Sequence, residues 1–511
     1  MEREVKRLKE LDKEIQRLWQ ISNLLSWDQQ TCLPEGGSSS RAEQFSVLAG
    51  ITHEKLIAPE IGDLFQALGI SEENFSAAGG LDISEPDRAF LREFYKKYRQ
   101  EIKLPKKLVT ELSEQIGLAN QKWAEAKKAS DFSLFCHALQ KVVRLTVEKA
   151  NCLGYGENIY DALLDEFEPG MKTSQVEAVL TRLEKRLKNF VQRILNSGRK
   201  INDDFLTGNF PVEKQREFAL LALRAMGFDF HRGRLDVSVH PATFTTGNAE
   251  TRLTTKYAPD SLESVSAALH EGGHALYEGG FSPDIQGTIL AARLSMGIHE
   301  SQSRLWENMV GKSLPFWKNF FPILRGMFPG EFQGIETEDF YAGMNKVKNS
   351  FIRVESDEVT YNLHIILRFK LEKMLVNGEL AVQDLPAAWK EESKKLFGIA
   401  PDKDADGVLQ DVHWSAGYFG YFPTYALGNL YSAQFYAAIK RAVPGLDKEM
   451  SGGNLKPILD WLRRNVHAYG GIFPAEELCR RATGETLNPD HFMDYLEEKY
   501  DCIYDLPSKR A

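Results

Sequence analysis

Residues 270–274 read His-Glu-Gly-Gly-His. Histidines four apart on a helix lie on one face, one turn from each other. That spacing lets two imidazoles bind a single zinc ion, and Glu271 beside them can act as general base toward an activated water. The chemistry would be metal-assisted hydrolysis. A catalytic zinc also needs a third protein ligand and an open position. The stretch GIHESQSRLWEN, residues 297–308, offers His299, Glu300 and Glu307. Glu300 and Glu307 share a helical face at i, i+7. Arg304 stands at i+4 from Glu300, where an exposed ion pair of small value is also expected. Spacing places Glu300 only slightly ahead of His299.

The element that must carry this motif reads as a helix. Asp260 and Glu263 suggest a capping box at its start, and Gly279-Gly280 a stop. Leu262, Val265, Leu269 and Leu276 form an apolar stripe away from the histidines. Gly272 and Gly273 each weaken a helix by about 1 kcal/mol relative to Ala. Gly272 falls on the apolar stripe, where a missing side chain admits a neighbouring helix. Gly273 falls toward the histidines, where bulk would crowd the ion, its third ligand or the substrate. Just before this helix, residues 234–257 are rich in Val and Thr and contain the turn signal TTGN. Two or three short strands are expected there, offering an edge to a substrate.

Most of the remaining chain has helical periodicity, as in Phe90, Leu91, Phe94, Tyr95 and Tyr98, and over 132–150 and 355–375. Breaker clusters near 76, 195, 400 and 450 are too short for flexible linkers. The pattern predicts a mainly α fold. Residues 1–511 read as one large helical domain, in one or two lobes, with a small β-sheet next to the HExxH helix.

Composition narrows the function further. Hydrophobic residues make up 43% and charged residues 26% of 511, which is ordinary for a globular chain. Lys plus Arg is 63 against 72 Asp plus Glu, a net charge of −9, which argues against nucleic acid as a partner. The five cysteines are dispersed and form no CxxC pair, as expected of reduced thiols in the cytoplasm. The N-terminus is densely charged and unlike a signal peptide, and no apolar run is long enough for a membrane span.

Several motifs together carry a family resemblance. HEGGH, HESQSR, IRVESD and DVHWSAGYFGYFPTYALGNLYSAQ, with LSWDQQTCLPEGGSSSRAEQ near the N-terminus, resemble the thermostable (Taq-type) zinc carboxypeptidases, an HExxH metallocarboxypeptidase family. The resemblance runs from near residue 20 to near residue 434. It implies a helical fold with a substrate groove, a homodimer, and His270, His274 and Glu300 as metal ligands with Glu271 as catalytic base. It implies one Zn2+ per chain, with Co2+ an alternative occupant, and peptides with a free C-terminus as substrates. Three positions depart from the family pattern: Ala242 in HPA, Glu250 in ETRLT and Ser356 in IRVESD. They lie outside the ligands and bear on substrate preference.

The expected reaction releases single C-terminal residues. His240, His413, Tyr421 and Tyr425 are candidate donors to the developing oxyanion, with His413 and Tyr421 preferred. Aromatic packing of GYFGYFPTY is the bland alternative. A guanidinium suits the substrate carboxylate; Arg353 is the first candidate, braced by Asp357 at i+4, and Arg252 the second. Two rival functions are an HExxH oligopeptidase that cuts within short peptides and a non-catalytic helical scaffold with a vestigial metal site. The second needs a lost base or ligand, and none is missing.

Overall fold

The computed structural model describes residues 1–71, 74 and 82–507. The breaker cluster expected near 76 lies outside the described residues. The chain forms two compact units, each assembled from three separate segments. The first comprises Met1–Ile102, Asp203–Met344 and Phe435–Thr486, the second Lys103–Asn202, Asn345–Gln434 and the C-terminal segment from Leu487. Both are dominated by helices, as the periodicity predicts.

The first unit contains the expected strands: β1 (Gly233–Val237), β2 (Ala242–Gly247) and β3 (Glu250–Thr255). Their order is β1-β3-β2, with β1 parallel and β2 antiparallel to β3. The outer edge of β2 is partly used: Asn23, on the long N-terminal helix Glu2–Thr31, donates to the Thr245 carbonyl at 2.9 Å. Trp27 of the same helix donates to Asp236 at 3.0 Å. The edge expected to be open to a substrate strand is therefore covered at that point.

The HExxH motif lies on the helix Glu263–Glu278, hereafter the motif helix. Val265, Leu269 and Leu276 are buried, as the apolar stripe requires. Its start differs from the expected capping box. Leu262 is the capping residue, and Ser261 accepts the Glu263 N–H through its hydroxyl, so Asp260 plays no capping part.

In the second unit a helix expected from 355 begins later, at Tyr361, and runs to Val376. The delay has a local cause: Asp357 accepts the N–H groups of Val359 and Thr360, holding the preceding segment in a turn. Nearly every residue of this helix is buried, including the polar series His364, Arg368 and Glu372 at i, i+4 and i+8. Glu372 accepts the Tyr160 hydroxyl at 2.6 Å, the Trp414 indole N–H at 2.7 Å and the Gly420 N–H at 2.5 Å. One carboxylate thus holds both ends of the segment 414–420.

Burial pushes the Glu372 pKa up from 4.5 to about 7, against the pull of its three donors. The folded chain then keeps a proton that the unfolded chain releases. Stability from this group is fully present below about pH 4.5 and is lost as pH rises through about 7. The loss amounts to roughly 3 kcal/mol. Urea midpoints at pH 5 and pH 8 should fall further apart for the native chain than for Glu372→Gln, which cannot ionise there.

Candidate active site

The motif helix and the helix Met296–Arg304 meet in the first unit, and they bring His270, His274 and Glu300 together. His270 Nε2 lies 3.6 Å from Glu300 Oε2, and His274 Nε2 lies 3.5 Å from the same oxygen. The edges of a tetrahedron with zinc bonds of about 2.0–2.1 Å are roughly 3.3 Å. The donor set, two imidazoles and one carboxylate, is a catalytic zinc type. The residues present therefore fit a metal ion.

The two motif glycines make this convergence possible. A Cβ on Gly273 would stand 2.6 Å from the Gln302 carbonyl oxygen and 2.6 Å from Ser303 Cα. The glycine thus lets the two helices that carry the three candidate donors touch backbone to backbone. A Cβ on Gly272 would meet Leu223 Cδ2 at 2.5 Å and Met226 Cε at 3.0 Å, on the helix Val212–Met226. The expectation for Gly272 holds. At Gly273 the crowded partner is the backbone of the helix that carries Glu300.

Charge at the site follows from burial and close pairing. Burial raises the Glu300 pKa, but Arg304, His270 and His274 outweigh it and hold the carboxylate well below its ordinary range. Arg304 Nε donates to Glu300 Oε1 at 2.7 Å, so the expected ion pair exists but is part-buried rather than exposed. Burial, aided by the charges of His299 and His270, pushes His274 down to about 3, so its imidazole is neutral. His270 is drawn down by burial and up by Glu300 and Glu307, with a net rise.

His299 takes another part. Its Nε2 lies 2.8 Å from Glu278 Oε1, and its ring stacks on that of His274 at 4.3 Å. Glu307 also stands outside the three-donor cluster, with Oε2 2.8 Å from His270 Nδ1.

Glu271 is buried beside the cluster, and burial raises its pKa while His270 and Thr243 lower it. Thr243 on β2 donates its hydroxyl to Glu271 Oε2 at 2.7 Å. This contact had no sequence signal, because a threonine in a strand is ordinary.

The other candidates divide between the units. In the first, His240 is exposed between β1 and β2, and Arg252 lies 3.3 Å from Glu250 with its guanidinium 4.3 Å over the Trp27 ring. In the second, His413 Nε2 is 3.2 Å from the Tyr425 hydroxyl, with the Tyr421 ring 5.7 Å away. Burial outweighs the pull of Asp411 and lowers His413 to about 4, so its ring is neutral. Arg353 does not use Asp357 as expected. Asp357 is occupied by backbone N–H groups, whereas Arg353 donates to Asp411 at 2.9 Å and to the Tyr361 hydroxyl at 2.8 Å. Arg368 donates to the other Asp411 oxygen at 2.6 Å. Asp411 lies in DVHWS, where its proximity to the histidine was the only available clue.

The fold and the donor set define the class first: a helical metallopeptidase of the HExxH type. Residues 7–500 match the family described as carboxypeptidase Taq (M32) metallopeptidase. The chain is 40% identical to thermostable carboxypeptidase 1 of Thermus thermophilus, covering 97% of this chain and 98% of that one. It is 37% identical to carboxypeptidase 1 of Bacillus subtilis, covering 94% and 95%. The M32 carboxypeptidase of Deinococcus radiodurans superposes with a TM-score of 0.93 at 36% identity, covering 98% and 99%. The chain belongs to the M32 family and is a metallocarboxypeptidase.

The glycine geometry yields a directional test. Gly273→Ala adds a methyl against fixed backbone and should destabilise by about 1–3 kcal/mol despite its better helix propensity. Gly272→Ala meets mobile side-chain ends and should come out near neutral. Denaturant midpoints of the metal-free variants compare the two, and zinc affinity should fall only for Gly273→Ala.

Proposed function

We propose that the chain is a zinc carboxypeptidase that removes single residues from peptide C-termini, with His270, His274 and Glu300 holding one ion and Glu271 acting as general base. The observation that carries it is the convergence of the three donors beside a buried, hydrogen-bonded carboxylate. Zinc in such a site supplies a Lewis acid and lowers the pKa of water toward neutrality.

The residues of the chain account for the rest. Thr243 fixes one oxygen of Glu271, leaving the other to take the proton of the attacking water. Burial keeps the Glu271 pKa above that of an ordinary glutamate, which brings it nearer the range where it can return the proton to the leaving amine. Arg304 holds Glu300 Oε1 and so presents Oε2 toward the histidines. Neutral His413 and its neighbour Tyr421 are proposed as hydrogen-bonding residues for substrate, with Tyr425 and His240 as further contacts. Arg353, then Arg252, is proposed for the terminal carboxylate. A cytoplasmic homodimer, with five free cysteines, completes the proposal. Among the described residues no helix is long and apolar enough to cross a membrane.

Mass spectrometry of one mid-length peptide, free and C-terminally amidated, tests the reaction. A ladder of single C-terminal losses, stopped by amidation and by chelator, is expected; internal cuts insensitive to amidation would sink the proposal. Glu271→Gln should keep its zinc and lose about 10²–10⁴ in kcat. A zinc-loaded Glu271→Gln chain of full activity would remove the base assignment. Arg353→Ala should raise KM for free peptides more than Arg252→Ala, measured on the same substrate.

A further inference from the structure

The ligand helix does not end at Arg304. It continues through a π-helical turn, Leu305–Val310, with i→i+5 pairing. Such turns are rare, often mark functional sites, and shift the later residues of the helix by one position. Glu307 lies within this turn. Its Oε2 faces His270 Nδ1 at 2.8 Å, on the side of the imidazole opposite the nitrogen that approaches Glu300.

Glu307 is part-buried, and two cationic side chains reach its carboxylate: Arg304, and Lys312 with Nζ 3.8 Å from Oε1. Arg304 Nη1 donates to Glu307 Oε2 at 3.1 Å while its Nε donates to Glu300 Oε1. One guanidinium therefore joins the third ligand to the residue behind the first. His274 has no such support: among the described residues its buried Nδ1 has no hydrogen-bond partner.

We propose that Glu307 is a positioning residue for His270. By accepting Nδ1–H it fixes the tautomer and ring orientation that commit Nε2 to the metal. Through Arg304 it also couples that ring to Glu300. Carboxylates placed behind a ligating imidazole raise its basicity, and losing one weakens metal binding by about 10–100-fold. The inference rests on the zinc reading above.

The test uses the full chain stripped of metal and titrated with Zn2+ against a competing chelator. Glu307→Gln should bind zinc about 10–100-fold more weakly, and Glu307→Asp should recover part of the loss. In zinc-loaded native protein, ¹⁵N NMR of labelled histidines should show the His270 proton on Nδ1. A folded Glu307→Gln with native zinc affinity overturns the proposal, as does a zinc-loaded His270 without a proton on Nδ1. The NMR arm decides if the glutamine variant does not fold. A native chain that takes up no zinc removes the metal reading and this proposal together; native uptake with an unaffected variant removes the proposal alone.

Discussion

Two helices carry the three donors, and they can share one point only if their backbones touch. Ordinary helix packing keeps axes 8–10 Å apart because side chains fill the space between them. At Gly273 that space is gone, and the backbone at Gln302–Ser303 fills the place a methyl would take. Glu300 stands just before that contact, so its carboxylate comes to the histidines instead of stopping a side chain short. Gly272 repeats the device against Leu223 and Met226. The two glycines sacrifice about 2 kcal/mol of helix propensity. Burying Val265, Leu269 and Leu276, at about 1.5–3 kcal/mol each, more than offsets it.

The close approach creates an electrostatic problem that the local residues resolve. Three glutamates and two histidines are crowded out of water, where an unpaired charge is strongly destabilising. Arg304 answers two of the carboxylates, and Thr243 donates to the third. The result is a neutral His274 and an anionic Glu300, the protonation states that metal coordination demands.

How much of this the sequence reveals depends on the range of the interaction. The motif helix, its apolar stripe and the three strands follow from periodicity within about twenty residues, and all appear in the structure. The i, i+4 histidines are equally local. Glu300 is harder, since its selection over His299 depends on how one helix rotates against another, and family resemblance decided between candidates that spacing left open. Contacts over longer separations left no pattern to read. Thr243 reaches Glu271 across a turn and a strand, and Arg353 pairs with Asp411 rather than the residue at i+4. The i+4 expectation failed because Asp357 was needed by the backbone, and that need arises only once the helix starts at Tyr361.

The second unit uses the same shared-partner device with the signs reversed. In the first, one guanidinium serves Glu300 and Glu307; here one carboxylate, Asp411, serves Arg353 and Arg368. Two cations on one anion leave a net positive charge among these three side chains, two of them buried. Such a charge is costly unless it has a purpose or a further partner. His413 cannot supply the balance, because burial keeps its ring neutral. Neutral groups supply partial compensation: the Tyr425 ring 5.1 Å from the Arg353 guanidinium, the Trp389 ring 4.8 Å from that of Arg368, and the Tyr361 hydroxyl and His364 carbonyl as acceptors. A cluster with this residual charge suits an anionic ligand, and a peptide's terminal carboxylate is the anion that a carboxypeptidase must recognise. That match is the physical reason for proposing Arg353 in the role, beside its place in the IRVESD motif.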